Sequence, residues 1–463
     1  MATLKWNTDG DDMEDRRDVR SKVSRRSSYN YKGFKELPFK FYQNESLKVL
    51  DLSSFNELAT LPCEMSRLKL LEKLVLRNNK FKSIPLVVYS LGRLTYLDIG
   101  NNLLSVVDEQ IGELKFLKTL VTDNNFIQHI SQNIAECDNL CILNVSGNGM
   151  SELPDGISNV KGLRELRLSN NKLRNLPSRI GDLTYLEILD ISNNDLTKMP
   201  AVLGQLVSLN KLYIHCNQIR EILPNFFNLS NLLELDMGEN NIESLPEDFN
   251  RLWSMKYLNA SFNKLSVLPD TFSNLEFLTM LSVVDTNLTY LPQDIGNLQA
   301  LTELYVDENK IRHLPNSIIS LENLIVFSAN QNTIEMLPDG FGKLKALKTL
   351  RLRKNRLESL SDDFGSLVQI EEIDLDGNKF RELPLTLILL KTLTRLSLRH
   401  NKLRKISHHI ANLQNLEELT LDHNKLSDAS LDDILQVKTL RRLSLTNNAL
   451  KDIPSQFSVA LRT

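Results

Sequence analysis

The sequence lacks the usual marks of a secreted or membrane protein. Its four cysteines, Cys63, Cys137, Cys141 and Cys216, are scattered along 463 residues and form no terminal cluster. No apolar run approaches the roughly 18–20 residues that span a bilayer, and the N-terminus is polar and acidic rather than apolar. We therefore expect a cytoplasmic protein with reduced thiols, which reaches the plasma membrane, if at all, through a partner.

Excess positive charge is also lacking. The formal net charge is −3, whereas a general nucleic-acid binder needs a strong surplus of Lys and Arg. We therefore expect no nucleic-acid partner.

What the sequence does contain is a single repeating pattern of apolar residues. From Leu71 to Leu416 a leucine, methionine or isoleucine returns in the same phase every 23 residues, without insertion or deletion. A 24-residue repeat precedes this array at Leu47, and another carries it on to Leu440. The chain thus holds 18 repeats, which are numbered here from Leu47.

The unit at residues 163–185, LRELRLSNNKLRNLPSRIGDLTY, shows what each repeat builds. Its first part alternates with period two, which predicts a short strand with Leu166 and Leu168 pointing inward, followed by Leu173 and Leu176. Asn171 stands at the turn, where its amide can serve buried backbone groups. All 14 prolines occupy the return segment, where a fixed φ and a missing N–H are tolerated.

This pattern, L-x-x-L-x-L-x-x-N-x-L with an L-P-x-x-I-x-x-L return, predicts an α/β leucine-rich-repeat solenoid. We expect one parallel concave sheet with short helical or 3-10 segments on the convex side. Residues 1–33 read as a disordered charged tail. Residues 34–463 read as the solenoid, with an N-terminal half-repeat or cap at 34–46 and repeats 1–18 at 47–463.

No catalytic motif interrupts the repeats. The segment Gly340-Phe341-Gly342-Lys343 suggests a phosphate loop, but it occupies the same repeat slots as residues 179–182. His400 and His423 share one slot in adjacent repeats, yet two imidazoles without an assured third ligand are more often solvated or partner-facing than metal-bound. We expect no enzyme, no metal and no cofactor.

The informative residues are those on the concave face that the repeat does not require. In repeats 8 to 12, aromatic residues stand among carboxylates, which is typical of an interface core with an acidic rim. A solvated sheet face with scattered aromatic residues is the alternative. In repeats 14 to 17 the same slots are mostly basic, so we predict a bipolar protein-binding face. The predicted binding residues are Tyr213, His215, Glu234, Asp236, Tyr257, Phe262, Glu303, Tyr305, Asp307, Arg351, Arg353, Arg395, Arg399 and His400.

The uninterrupted 23-residue units with their L-P-x-x-I-x-x-L return segment resemble the repeats of two families of intracellular signalling proteins. One is the Ras-pathway scaffold of the suppressor-of-clear type, which is nearly all repeat after a charged N-terminal segment. The other joins leucine-rich repeats to PDZ domains (Scribble, Erbin and relatives) and scaffolds cell polarity and junctions. The first resemblance implies a Ras-family GTPase and the catalytic subunit of protein phosphatase 1 as partners. One departure is that Lys22-Val23-Ser24-Arg25 lacks the final aromatic residue of a phosphatase docking motif.

Three classes of function remain open at this point. An interaction scaffold fits the chain best. An extracellular receptor domain would need a signal peptide and terminal disulfides, and an enzyme would need a non-repeat domain beyond the tail.

Overall fold

The computed structural model describes Leu37, Phe39 and residues 42–451. The predicted tail, the cap residues Phe34, Pro38 and Phe41, and Pro454 in the last repeat lie outside the described residues. Of the predicted cap, Tyr42 is buried, while Phe39 is largely exposed and meets the Tyr42 ring edge-on at 5.2 Å. The domain bounds stay a prediction.

Each repeat contributes one three-residue strand to a single 18-stranded sheet, as the alternating pattern predicts. Neighbouring strands pair in parallel and in register, so Leu212 lies opposite Leu235, and Leu235 opposite Leu258. The strands are Val49–Asp51, Lys73–Val75, Tyr96–Asp98, Thr119–Val121, Ile142–Asn144, Glu165–Arg167, Ile188–Asp190, Lys211–Tyr213, Glu234–Asp236, Tyr257–Asn259, Met280–Ser282, Glu303–Tyr305, Val326–Ser328, Thr349–Arg351, Glu372–Asp374, Arg395–Ser397, Glu418–Thr420 and Arg442–Ser444.

Short helical segments return the chain on the convex side, and most follow a proline. The 3-10 helices are Cys63–Arg67, Glu109–Glu113, Gln132–Glu136, Asp155–Asn159, Ile180–Asp182, Ala201–Gln205, Pro224–Asn228, Glu247–Arg251, Asp270–Asn274, Ile295–Asn297, Asn316–Ser320, Phe341–Lys343, Asp362–Ser366, Leu385–Leu389 and His408–Asn412. Two α-helical turns, Leu86–Tyr89 and Ala429–Ile434, replace them in repeats 2 and 17. A minor parallel pair joins Val106–Val107 to His129–Ile130.

The core is one continuous column of apolar side chains between the sheet and the return segments. In repeat 6, Leu166, Leu168 and Leu173 are fully buried, while Leu176 is partly buried against the core. Each repeat buries these residues only against its neighbours, so the stack is held together by nearest-neighbour contacts. The predicted solenoid fold is confirmed.

A ladder of asparagines closes the turns. In repeat 7, Asn194 Nδ2 donates to the carbonyl oxygens of Ile191 in its own turn and Leu168 in the preceding repeat, at 3.1 and 3.0 Å. Its Oδ1 accepts the N–H of Leu173 at 2.9 Å. In repeat 11, where the sequence has Thr286, the hydroxyl donates to Asn309 Oδ1 of the next repeat at 2.6 Å. The ladder therefore satisfies turn backbone groups that stacking hides from water.

The residue before each ladder asparagine turns the chain through left-handed backbone. In repeats 2 to 7 this position holds Asn or Gly, which adopt that conformation easily. From repeat 8 onward it holds bulkier residues except for Gly377 and Asn447: Phe262 has φ 57° and Glu308 has φ 54°. The turn position is therefore where side chains depart most from what the backbone prefers.

A candidate protein-binding face

The fourteen predicted residues all lie on the concave strands or on the turns that follow them. Most are half-buried between neighbouring side chains of the sheet: Tyr213, His215, Glu234, Tyr257, Glu303, Tyr305, Asp307 and Arg351. Five are exposed: Phe262, Arg353, Arg395, Arg399 and His400. The exception is Asp236, which the pattern placed toward solvent and the structure buries.

Asp236 is buried because it serves as an acceptor for its neighbours. Its Oδ1 accepts the N–H of Gly238 at 3.0 Å and Nδ2 of Asn259 at 2.9 Å. Its other oxygen lies 3.5 Å from His215 Nδ1. Burial raises the pKa of the Asp236 carboxyl above its ordinary value, and the nearby imidazole and the two donors oppose that rise. Asp236 thus connects neighbouring residues of the concave face beneath its exposed surface.

Three tyrosines stand along this part of the face with their rings partly covered. Tyr213 Oη donates to Glu234 at 2.8 Å, and Tyr305 Oη donates to Glu303 at 2.7 Å. Burial first, and neighbouring carboxylates second, raise the pKa values of Tyr213, Tyr257 and Tyr305. The phenols are therefore neutral at physiological pH, and each ring offers a firm apolar surface beside negative charge.

Beside the tyrosines, the left-handed turn positions of repeats 9 to 12 form a row that we call the turn row: Glu239, Phe262, Asp285 and Glu308. All four side chains are exposed, Phe262 by 50%. Three of them are carboxylates, and the fourth is a large aromatic ring open to solvent. The strands that carry them are hydrogen-bonded neighbours, so the row lies in one line across the sheet.

The basic end of the face is largely neutralised by its own neighbours. Glu372 of repeat 15 accepts from Arg351 on one side at 3.2 Å and from Arg395 on the other at 2.5 Å. Burial alone would raise the pKa of Glu372, but these guanidinium groups outweigh it and hold the pKa below its ordinary value. Arg399 pairs with the buried Asp422 at 3.1 Å.

Arg353 differs from these arginines. Among residues 42–451 it makes no ion pair, and its side chain is exposed. The predicted bipolar charge is thus weaker at the basic end than the sequence suggested.

The two histidines of repeats 16 and 17 stack on each other rather than converging on one point. Their ring centroids are 4.0 Å apart with an interplanar angle of 12°. Nε2 of His423 lies 3.1 Å from Asn447 Nδ2. In the described part of the chain no group of three or more His, Cys, Asp or Glu side chains could hold a metal ion.

Sequence reasoning missed a charged cluster at the other end of the face. The guanidinium of Arg77 in repeat 2 lies against Asp98 in repeat 3, with Nε 3.0 Å from Oδ2, and against Asp123 in repeat 4. Gly100 leaves room for it, since a Cβ there would lie 2.5 Å from Arg77 Nη2. The three residues occupy the same positions in their repeats as Tyr213 and His215, which were predicted to bind. The sequence pattern could therefore have identified this cluster too.

A lysine in the same region lies over an aromatic ring. Lys73 Nζ is 4.4 Å from the centroid of the Tyr96 ring, within the range of a cation–π contact.

Two protein-family models match the sequence. "Leucine rich repeat" matches residues 161–219, 207–265, 329–380 and 391–450, and "leucine-rich repeat region" matches residues 280–354. Together they cover more than half of the chain, which therefore belongs to the leucine-rich-repeat proteins. This fold generally presents surfaces for binding other proteins. No curated protein matches the chain.

Solved structures show the same fold. A leucine-rich-repeat protein of Leptospira interrogans is 28% identical, with a TM-score of 0.77, over 88% of this chain and 99% of that one. The plant peptide hormone receptor RGFR1 in complex with RGF2 is 24% identical, with a TM-score of 0.63, over 88% and 79%. The functional domain of InlJ from Listeria monocytogenes is 21% identical, with a TM-score of 0.60, over 71% and 68%. The latter two similarities concern the fold alone.

Two further observations bear on the sequence predictions. Cys137 is buried, Cys63 is exposed, Cys141 and Cys216 are intermediate, and all four thiols are free. Within the described residues no helix has both the length and the apolar character to cross a membrane.

Proposed function

We propose that this chain is a non-catalytic scaffold that binds partner proteins on its concave face, with repeats 8 to 12 as the principal site. The observation that carries the proposal is the row of half-buried tyrosines, Tyr213, Tyr257 and Tyr305, set among carboxylates on a sheet face that the fold leaves open. Tyrosines held in place by their neighbours bring large contact area at a small cost in conformational entropy.

The finer part of the proposal concerns the pathway. The scaffold acts in the cytoplasm, in intracellular signalling, and joins a Ras-family GTPase to the catalytic subunit of protein phosphatase 1. What supports this is the resemblance of the uninterrupted 23-residue units to the Ras-pathway scaffolds. A polarity or junction scaffold is the alternative that the resemblance to the repeat-and-PDZ proteins supports.

The experiment is a capture of partners from cells with three forms of the full chain. One is the unchanged protein, and another has Tyr213, Tyr257 and Tyr305 replaced by Ala. The third is a matched control with Tyr185, Trp253 and Phe277 replaced by Ala; these exposed aromatic residues lie in the loops that lead into the strands. We expect the concave variant to lose its principal partner and the control to retain it.

Because Tyr213 and Tyr305 are hydrogen-bonded and half-buried, their removal also tests folding. A melting curve for each variant separates loss of the fold from loss of the surface, and the single variant Tyr257→Ala repeats the test with less change. If a folded concave variant keeps every partner while the loop variant loses them, the binding surface is the loop edge. A Ras-family GTPase and the phosphatase among the captured proteins would support the finer proposal, and PDZ-type junction proteins in their place would contradict it.

A further inference from the structure

Near its N-terminal end, the concave face contacts two cationic side chains of the chain itself. Arg77 lies between Asp98 and Asp123, and Lys73 lies over the ring of Tyr96. Both cations come from the strand region of one repeat, and the three acceptors come from the two repeats that follow. Carboxylates flanking a guanidinium, and an aromatic ring beneath an ammonium, are two common arrangements by which proteins bind cationic side chains.

Ion pairs between neighbouring repeats recur at the other end of the face. Arg351 and Arg395 flank Glu372, Arg399 pairs with Asp422, and Arg442 pairs with Glu418 at 2.7 Å. Glu372, Glu418 and Asp422 therefore have cations supplied by the chain itself, whereas Asp374 and Asp376 of repeat 15 form no ion pair among the described residues.

Repeats 11 and 12 carry carboxylates on the concave face, but these have no ion-pair partner among the described residues. Among residues 42–451, no Lys, Arg or His forms an ion pair with Asp285, Glu303 or Glu308. Asp307 lies beside them. Its hydrogen-bond donors among the described residues are uncharged: the Ser328 hydroxyl at 2.6 Å and the Asn330 N–H at 2.8 Å. In repeat 9, by contrast, Glu234 pairs with Lys211 at 2.9 Å and Asp236 lies 3.5 Å from His215, so the strand carboxylates without a described ion pair are those of repeats 11 and 12.

Aromatic rings accompany these carboxylates. Tyr305 is half-buried on the strand, and Phe262 projects from the turn row. Phe262 stands between Glu239 and Asp285 in the sheet order, so a cation over its ring would also have carboxylates in the adjacent repeats.

We propose that the concave face of repeats 9 to 12 binds an Arg- or Lys-rich segment of a partner protein, whose cationic side chains take the place that Arg77 and Lys73 fill in repeats 2 to 4. This inference rests on the proposed function, since it names the kind of segment that the concave face binds. Strand spacing of about 4.8 Å makes the stretch from repeat 9 to repeat 12 about 14 Å long, the length of about four or five extended residues. The segment is therefore short and presents several cations on one side.

The test measures binding of a short fluorescent peptide, in which arginine and serine alternate, to the full chain. A second peptide carries citrulline at every arginine, which keeps the shape and removes the charge. The site variant is Asp285→Asn, Glu303→Gln and Glu308→Gln. The matched control is Glu276→Gln, Asp294→Asn and Glu322→Gln, which neutralises three exposed carboxylates of the same repeats away from the concave strands and their turns.

We expect the site variant to bind the arginine peptide at least about tenfold more weakly, and the control variant to bind it as the unchanged protein does. Affinity should fall between about 50 and 300 mM salt, and the citrulline peptide should bind at least about tenfold more weakly. Equal weakening in both variants would mean unspecific attraction to negative charge and would overturn the inference. So would equal binding of the two peptides.

The chain's own basic stretch is the competing occupant. If replacing Arg16, Arg17, Arg20, Lys22, Arg25 and Arg26 by Ser strengthens peptide binding, the site is filled from within and the partner inference fails. Failure here is distinct from failure of the proposed function. A site variant that keeps a partner which the tyrosine variant loses would overturn only the cationic segment, whereas full retention by both would overturn the concave face itself.

Discussion

Asn240 Nδ2 donates to the carbonyl oxygen of Ile214, 26 residues earlier in the preceding repeat, at 3.0 Å. The same nitrogen reaches the carbonyl oxygens of Met237 and Gly238 in its own turn. Its Oδ1 accepts the N–H of Ile219 at 3.0 Å. One side chain therefore joins two repeats through both ends of its amide.

Replacing Asn240 by Ala leaves these buried backbone groups without their partner, so we expect the free energy of unfolding to fall by about 1–3 kcal/mol. Denaturation by urea or heat measures the loss. Asn274→Ala is the control, because Asn274 lies exposed on the convex side. Equal effects of the two substitutions would show that the ladder does not stabilise the stack.

Gly100 gives a second test of packing. A Cβ at this position would lie 2.5 Å from Arg77 Nη2 and 2.5 Å from Asp123 Oδ1, so Gly100→Ala must displace the guanidinium from its carboxylates. We expect a lower melting temperature. Gly92→Ala is the matched control, since nothing lies within 4 Å of a Cβ there. A fall for Gly92→Ala as large as that for Gly100→Ala would contradict the assignment.

The fold could be predicted almost completely from the sequence, because every repeat has the same local sequence pattern. Strand, turn asparagine and return proline recur in phase, and Leu166 and Leu168 are inward as expected. What a periodic pattern cannot give is the lateral contact between repeats. Asp236 and Arg399 were both assigned to the solvent face. Asp236 is instead buried and accepts a hydrogen bond from the Asn259 amide, whereas Arg399 is exposed as expected but pairs with Asp422. Those contacts depend on side-chain rotamers across neighbouring strands.

Phe262 combines an unfavourable backbone with an exposed ring. Its φ of 57° lies in the left-handed region, where Asn is far easier to accommodate than Phe. We expect Phe262→Asn to raise the free energy of unfolding by about 1 kcal/mol, since left-handed backbone costs a residue such as Phe about 1–2 kcal/mol. If the ring binds a partner, binding should weaken in the same variant, which is the usual opposition of stability and function.

Phe277→Asn controls for the loss of an exposed ring, because Phe277 is 53% exposed and is not among the positive-φ residues. It should bring no gain in stability. A Phe262→Asn protein that is no more stable than the unchanged chain would show that the turn carries no strain at this position.

Asp374 predicts a dependence of stability on pH. Burial, with the neighbouring Asp376, raises the pKa of Asp374 to about 6 from an ordinary 3.8. Between these values the folded chain binds more protons than the unfolded chain, so the contribution of this group to stability falls as pH rises from about 4 to 6. Asp374→Asn should therefore gain stability over the unchanged protein at pH 7 and much less at pH 4. Urea midpoints at the two pH values measure the difference; an equal gain at both would contradict it.

The last prediction separates two arginines that the sequence placed in one basic group. Arg399 lies 3.1 Å from the buried Asp422, so Arg399→Glu sets two carboxylates against each other and should lower the melting temperature clearly. Arg353 is exposed and has no ion pair among the described residues, and its charge only opposes the burial-driven rise in the pKa of the nearby Asp374, so Arg353→Glu should lower the melting temperature much less than Arg399→Glu. If the basic end binds an acidic partner, Arg353→Glu should weaken that association in a salt-dependent way. A folded Arg353→Glu protein that keeps every partner at low and high salt would mean that only the acidic, aromatic end of the face binds.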